Sequence, residues 1–266
     1  MALKITCLME NTACDPQFAA EHGLSLYIET GKHKLLFDMG QTDAFAENAL
    51  RLGVDLAGVD AAILSHGHYD HGGGMARFLA VNDHAMVYHS QHAFGEHWHG
   101  DSKYIGLDRA LQGHARLQPV GDELLLDDEL SLHSCREKPC KYPIESFGLT
   151  RREGDAFLPE TFDHEQYLLI RCGGKRVLIS GCSHKGIANI VDWFHPDVLV
   201  GGFHLMKLDP AQPADKQRLE ALADELLYSG TQFYTGHCTG EPAYAFLKER
   251  MSERLEYLSA GRSVTI

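Results

Sequence analysis

Ala61-Ala62-Ile63-Leu64-Ser65-His66-Gly67-His68-Tyr69-Asp70-His71-Gly72-Gly73-Gly74 is the stretch on which the reading of this chain turns. Residues 61–65 form a short apolar run of the kind that makes a buried strand. Directly after it come four side chains able to hold a metal: His66, His68, Asp70 and His71. Imidazole nitrogens and carboxylates are the usual ligands of zinc and similar first-row ions. A turn that carries so many of them gives up core-forming residues for coordinating ones. A lone His-x-His reads as a polar surface loop; this denser pattern, straight after a strand, reads as a metal site. The three glycines that follow are expected to let the backbone turn tightly away.

The bulk properties suit a compact globular enzyme. The chain has 266 residues, 44% hydrophobic and 23% charged, enough to bury a large core as one α/β domain or two closely fused halves. A formal net charge of −13 argues against a surface that tracks nucleic-acid phosphates. The start, Met1-Ala2-Leu3-Lys4-Ile5-Thr6-Cys7, alternates like a strand and lacks an apolar leader, and no run suggests a membrane span. Cys7, Cys14, Cys135, Cys140, Cys172, Cys182 and Cys238 are scattered and odd in number, a pattern for a reducing compartment rather than a disulfide framework. The expectation is a cytoplasmic protein acting on a small molecule, without nucleic-acid or membrane partners. Its oligomeric state is not legible.

Hydrophobic periodicity predicts strands at 3–9, 24–29, 34–38, 61–65, 123–132, 167–171, 176–180, 197–203 and 232–237. Helices are expected at 43–52, 75–81, 215–228 and 242–251. The whole chain, 1–266, reads as one domain, with about 84–160 as an elaboration over the site.

A metal pair needs further ligands, and they should arrive where strands end. The turn at Gly173-Gly174 sets position 164 opposite about 183, so His164 meets Gly181-Cys182-Ser183-His184 at one end of a hairpin. Either Cys182 or His184 is then placed to share a metal with His164. Gly201-Gly202-Phe203-His204 and Gly236-His237-Cys238-Thr239-Gly240 each end an apolar run in histidine.

With these residues in view, Ser65–Gly74 resembles the signature of the metallo-β-lactamase superfamily, and the likeness covers nearly the whole chain. Leu36-Phe37-Asp38-Met39-Gly40 matches the early strand whose Asp braces the metal loop. The 18-residue step from His164 to Cys182 resembles the family's spacing from third His to acidic or Cys ligand, and His237 stands at its last His. Glu21-His22-Gly23-Leu24, Gly181-Cys182-Ser183-His184-Lys185-Gly186-Ile187, Gly202-Phe203-His204-Leu205 and His237-Cys238-Thr239-Gly240 are similar to the dihydropteroate-synthase-like branch. That branch includes enzymes assigned to a pterin–ribofuranosylaminobenzene phosphate condensation in methanopterin synthesis.

The resemblance implies an α/β fold, the αββα sandwich, with two mixed β-sheets face to face and helices outside. It implies two divalent ions, zinc first, with iron or manganese as alternatives. His66, His68 and His164 would hold one and Asp70, His71 and His237 the other, with Cys182 between or beside them. Asp70 would also accept a hydrogen bond from the attacking water. His184 and His204 would bind a developing oxyanion or protonate a leaving group, or support the ligands from behind; His184 could also replace Cys182. The middle segment, with His89, His92, His97, Trp98, His99, Lys103, Tyr104 and the pair Arg151-Arg152, is expected to set substrate choice. The activity expected is a metal-dependent hydrolase of a small anionic metabolite. A pterin-pathway transferase and a non-catalytic metal sensor are the alternatives.

Overall fold

Side-chain alternation in the strands decides the layers. In Tyr167–Cys172, Leu168 and Ile170 point to one face, and Tyr167 and Leu169 to the other. In the neighbouring Lys175–Ile179, Val177 and Ile179 join the first face and Leu178 the second. The strand Lys34–Phe37 does the same on the other side of the molecule, with Leu35 and Phe37 inward and Leu36 outward. Each sheet therefore has two apolar faces, one to pack on its twin and one to be covered by helices. The computed structural model, which describes residues 2–266, shows that sandwich.

Two seven-stranded sheets face each other. The first runs Ser263–Thr265, Lys4–Met9, Ser25–Glu29, Lys34–Phe37, Ala61–Ile63, Met86–Ser90, Leu117–Val120. The second runs Leu255–Tyr257, Gln232–Thr235, Val198–Val200, Lys175–Ile179, Tyr167–Cys172, Leu130–His133, Glu123–Leu125. Each combines a parallel group with an antiparallel one, and both expected hairpins form, Ser25–Glu29 with Lys34–Phe37 and Tyr167–Cys172 with Lys175–Ile179. Outside, Ala44–Arg51 and Met75–Val81 cover the first sheet through Phe45, Ala49, Met75 and Phe78. Ile187–Phe194, Pro213–Tyr228 and Glu241–Met251 cover the second through Ile190, Leu219, Leu226 and Leu247. Pro213 and Pro242 open their helices, where a missing N–H is harmless.

This topology gathers the chemistry. The strands Lys34–Phe37, Ala61–Ile63, Lys175–Ile179, Val198–Val200 and Gln232–Thr235 belong to the parallel groups of the two sheets. Just beyond their carboxyl ends lie Asp38, His66, Cys182, His204 and His237 respectively. Ligands collect at the carboxyl ends of strands in α/β sheets.

Several expectations change. Residues 123–132 are two strands joined by a turn, because the Asp127 carboxylate accepts the N–H groups of Glu129 and Leu130, each at 2.8 Å, and bends the chain. The segment 84–160 contributes Met86–Ser90 and Leu117–Val120 to the first sheet as well as Leu130–His133 to the second. What lies over the site is a separate four-stranded sheet, Ala156–Pro159, Leu149–Glu153, His97–His99 and Lys103–Tyr104. The glycines after the motif do not make a left-handed turn: φ at Gly73 is −64° and at Gly74 −80°. They permit close approach instead. A Cβ at Gly73 would lie 2.1 Å from the Gln41 carbonyl oxygen, and one at Gly74 2.2 Å from that of Met39. Among the described residues, no helix is long and apolar enough to cross a membrane.

Candidate metal centre

One buried carboxylate sets the orientation of the motif. Asp38, held at a left-handed φ of 59°, accepts the Ser65 N–H at 2.7 Å with Oδ1. Its Oδ2 accepts the Ser65 hydroxyl and the His71 Nδ1–H, both at 2.7 Å. Since the single Ser65 hydroxyl proton goes to Asp38, His66 Nδ1, 2.8 Å away, must donate to that oxygen. His66 therefore carries its proton on Nδ1 and presents a bare Nε2 lone pair, the form that binds metal, while His71 turns its Nε2 to the same space and would give up its proton there to an entering cation.

The ring nitrogens converge. His66 Nε2 lies 3.2 Å from His184 Nε2, and the donor atoms of His66, His68 and His184 all fall within 4.8 Å of one another. His71 Nε2 lies 3.1 Å from His237 Nε2 and 3.1 Å from Cys182 Sγ. Asp70 Oδ2 is 3.7 Å from His71 Nε2 and 3.5 Å from His237 Nε2. A tetrahedral zinc with Zn–N of about 2.0–2.1 Å sets its nitrogen ligands about 3.3 Å apart, so these edges fit an ion of that size. Without an ion, each of these close nitrogen pairs is satisfied only by one shared proton, which a cation would replace. His68 Nε2 and His184 Nδ1 are buried without partners, and Cys182 stands between the groups, within 4.8 Å of donors from both.

Two further carboxylates pin the second-sheet loops. Glu165, fully buried, accepts the His184 N–H at 2.7 Å, the Lys185 N–H at 3.1 Å and the Tyr167 hydroxyl at 2.6 Å. Glu10 accepts the His237 N–H and, at 2.8 Å, the Tyr257 hydroxyl. The Asn11 side-chain oxygen accepts the Gly23 N–H and, at 2.8 Å, His237 Nδ1–H. That again turns Nε2 toward Asp70. Ser183, His204 and His237 hold left-handed φ values of 56°, 53° and 49°. Such backbone strain persists only where surrounding contacts impose it.

Electrostatics divide the donors. Burial pushes His66, His68 and His184 well below the usual histidine range, so they are neutral. For His71 burial acts in the same direction, but Asp38 and Asp70 outweigh it and move the group up to about 9. Burial alone would raise Asp70; His71, His22 and His237 hold it well below the carboxylate range. Burial and the neighbouring Cys238 push the Cys182 thiol up, a cost that a bound cation would remove.

His164 groups with His68 and His97, their donor atoms within 4.8 Å of one another. Its Nδ1 accepts the Gly67 N–H at 2.9 Å, so the neutral ring keeps its proton on Nε2 and has no lone pair to spare. It packs on His97, ring centres 3.8 Å apart, and His97 Nδ1 donates to Glu160 at 2.8 Å. His184 occupies the position beside His66 instead, its ring stacked on Phe162 at 4.4 Å. His204 stands 4.2 Å from the His184 ring, and both its nitrogens are buried and unpartnered. Sequence reading missed Glu10, Asn11, Glu160 and Glu165 entirely. It quoted His22 without assigning it a role, yet His22 Nε2 lies 3.3 Å from Asp70 Oδ2.

Around this centre is a cavity of about 170 Å³, with His99, Lys103 and Lys207 in its wall. Lys103 donates to the Tyr69 hydroxyl at 3.1 Å and Lys207 to the Phe147 carbonyl, neutral partners that leave both charges uncompensated. Arg151 and Arg152 instead pair with Glu153 and Asp155 on the surface.

Comparison with known proteins finds relatives of the same length and fold. An uncharacterised protein of Methanocaldococcus jannaschii is 29% identical over 255 residues, spanning 92% of this chain and 94% of the relative. The same organism's 7,8-dihydropterin-6-methyl-4-(beta-D-ribofuranosyl)-aminobenzene-5'-phosphate synthase is 27% identical, spanning 98% of this chain and 96% of its own. The crystal structure of Tm1679, a metal-dependent hydrolase of the beta-lactamase superfamily, superposes with a TM-score of 0.80 at 25% identity, over 99% of both chains. The family model of the metallo-beta-lactamase superfamily matches residues 20–237, which run from before Asp38 to His237. The chain belongs to the metallo-beta-lactamase superfamily.

Proposed function

We propose that this chain is a metal-dependent hydrolase of small anionic substrates, with two divalent ions, zinc first, in adjoining donor sets. His66, His68 and His184 form one set; Asp70, His71 and His237 form the other, with Cys182 between them. The observation that carries the reading is the convergence of buried imidazole nitrogens at tetrahedral-edge spacing, 3.1 and 3.2 Å, each ring oriented by a buried acceptor or wall. His164 is assigned to holding the Gly67 N–H rather than an ion.

Ions in these sets would supply Lewis acidity, acidifying water and polarising the bond under attack. The chain's own groups do the rest. Lys103 and Lys207 draw the substrate's anionic end to the cavity mouth. Asp70, kept ionised, accepts a hydrogen bond from the attacking water and fixes its direction. His204, whose ring nitrogens have no protein partner, is placed to hand a proton to the leaving oxygen. In the net reaction the water oxygen bonds to the electrophilic atom, the bond to the leaving oxygen breaks, and that oxygen takes up the proton. The buried free thiols of Cys7, Cys135, Cys182 and Cys238 suit a reducing, cytoplasmic setting.

One observation favours a second reading, transfer rather than hydrolysis: a relative spanning nearly the whole chain is a synthase. Assaying metal-loaded protein with bis(p-nitrophenyl) phosphate and p-nitrophenyl acetate separates the two. Turnover that disappears in Asp70→Ala supports hydrolysis. Absence of turnover with full metal content favours transfer.

A further inference from the structure

A second, larger cavity adjoins the metal centre. It holds about 480 Å³, within the ordinary range of small-molecule pockets. Its wall is mostly apolar: Phe147, Ile187, Phe203, Leu205, Leu208 and Leu222. It lies between the loop through Tyr142, the start of the helix Ile187–Phe194 and the helix Pro213–Tyr228. Phe147, His184 and His204 line this cavity and the metal cavity alike. The two spaces therefore meet at the group assigned to proton transfer.

Three features define what fits there. The charges at its rim are already paired, Arg218 with Glu145 at 2.7 Å and Glu225 with Lys141 at 3.2 Å, so no cation there waits for a second anion. The loop at its edge is held in place: Asn189 accepts the Tyr142 N–H at 2.8 Å and donates to the Tyr142 carbonyl at 2.9 Å. The space is thus formed in advance of binding, with little ordering entropy left to lose. Finally, the positive charge sits on the metal-cavity side, at Lys103 and Lys207.

We infer that the substrate is amphipathic: an anionic end bound beside the metals and an uncharged apolar group, aryl or alkyl, seated in the 480 Å³ cavity. This deepens the hydrolase reading by naming the substrate's shape, and it rests on that reading for the placement of the anion. The division of labour follows from solvation. An apolar group gains by leaving water for Phe147, Phe203 and Leu222, whereas an anion placed there would have to give up its water without a partner.

Non-hydrolysable sulfonates test the inference without catalysis. Calorimetric titration of the metal-loaded protein compares methanesulfonate, 1-naphthalenesulfonate and 1-octanesulfonate. At least one of the latter two should bind about 100-fold tighter than methanesulfonate, and which one does so tells aryl from alkyl. Leu222→Trp, which fills the cavity, should abolish that gain. Ala221→Trp narrows the mouth from an exposed position on the same helix and keeps the test valid if Leu222→Trp does not fold. Equal affinity for all three sulfonates, or a gain that survives the tryptophans, overturns the inference. Selective binding in a protein that turns over no ester would leave the cavity assignment standing and count against hydrolysis alone.

Discussion

The two proposed donor sets are built from different chemistry, although they share a loop. The first, His66, His68 and His184, consists of imidazoles kept neutral by burial. The second, Asp70, His71 and His237, contains a carboxylate, and Asp38 and Asp70 hold His71 charged in the absence of metal. A cation entering the first set meets a pocket of neutral dipoles. One entering the second replaces a proton already held by negative charge. The comparison shows that burial and bracing are alternative ways of keeping histidines ready for a metal, and that each leaves its own pH signature.

Removing the shared brace should have the largest effect. Asp38→Ala strips the Ser65 N–H, the Ser65 hydroxyl and His71 Nδ1 of their acceptor at once. The expected loss is about 3–5 kcal/mol of stability together with metal from both sets, read by urea unfolding and elemental analysis. Asp70→Ala should break the symmetry instead. About one ion per chain should remain, the fold should persist, and kcat/KM should fall on the order of 10³-fold. If Asp70→Ala loses both ions, the sets are not separable in the way their geometry indicates.

A smaller effect belongs to Glu165, which acts on the first set only through the His184 and Lys185 backbone. Glu165→Gln should weaken metal binding about 10–100-fold and leave the second set intact, as competition with a chromogenic chelator would show. Smallest is the pH dependence of metal-free protein. The His71 value of about 9 lies above the unfolded value of 6.5, so its stabilisation is complete below about 6.5 and lost as pH rises through 9. His66, His68 and His184 shift downward, so the unfolded chain takes up protons first and stability falls as pH drops below 6.5. Melting temperature should therefore peak near neutrality, with slopes of no more than about 1.4 kcal/mol per pH unit for each group. A curve flat from pH 5 to about 9 would contradict the split.

The contrast also explains what the sequence could disclose. The first-sheet donors lie within one turn after a strand, so His66, His68, Asp70 and His71 are legible by spacing alone. Cys182, His184 and His237 are legible because each follows an apolar strand. The braces are not. Glu10, Asn11 and Glu165 look like ordinary polar residues beside strands, and their role arises only when a loop distant in sequence lays its N–H groups or an imidazole on them. The proposal of His184 in place of His164, where the sequence left only Cys182 or His184 open beside His164, was equally hidden. The hairpin brings both to one end, and the decision rests on which ring the Gly67 N–H occupies. The fold was read more fully, because alternation and hairpin turns are local. The break at Asp127 escaped because apolar residues continue on both sides of it.

The central claim, that His184 rather than His164 completes the first set, is tested most directly by the metal content of His184→Ala and His164→Ala beside the wild type. Wild type should hold about two ions per chain, His184→Ala about one, and His164→Ala the full complement with weaker retention under chelator. Loss of an ion from His164→Ala with both retained in His184→Ala would contradict it.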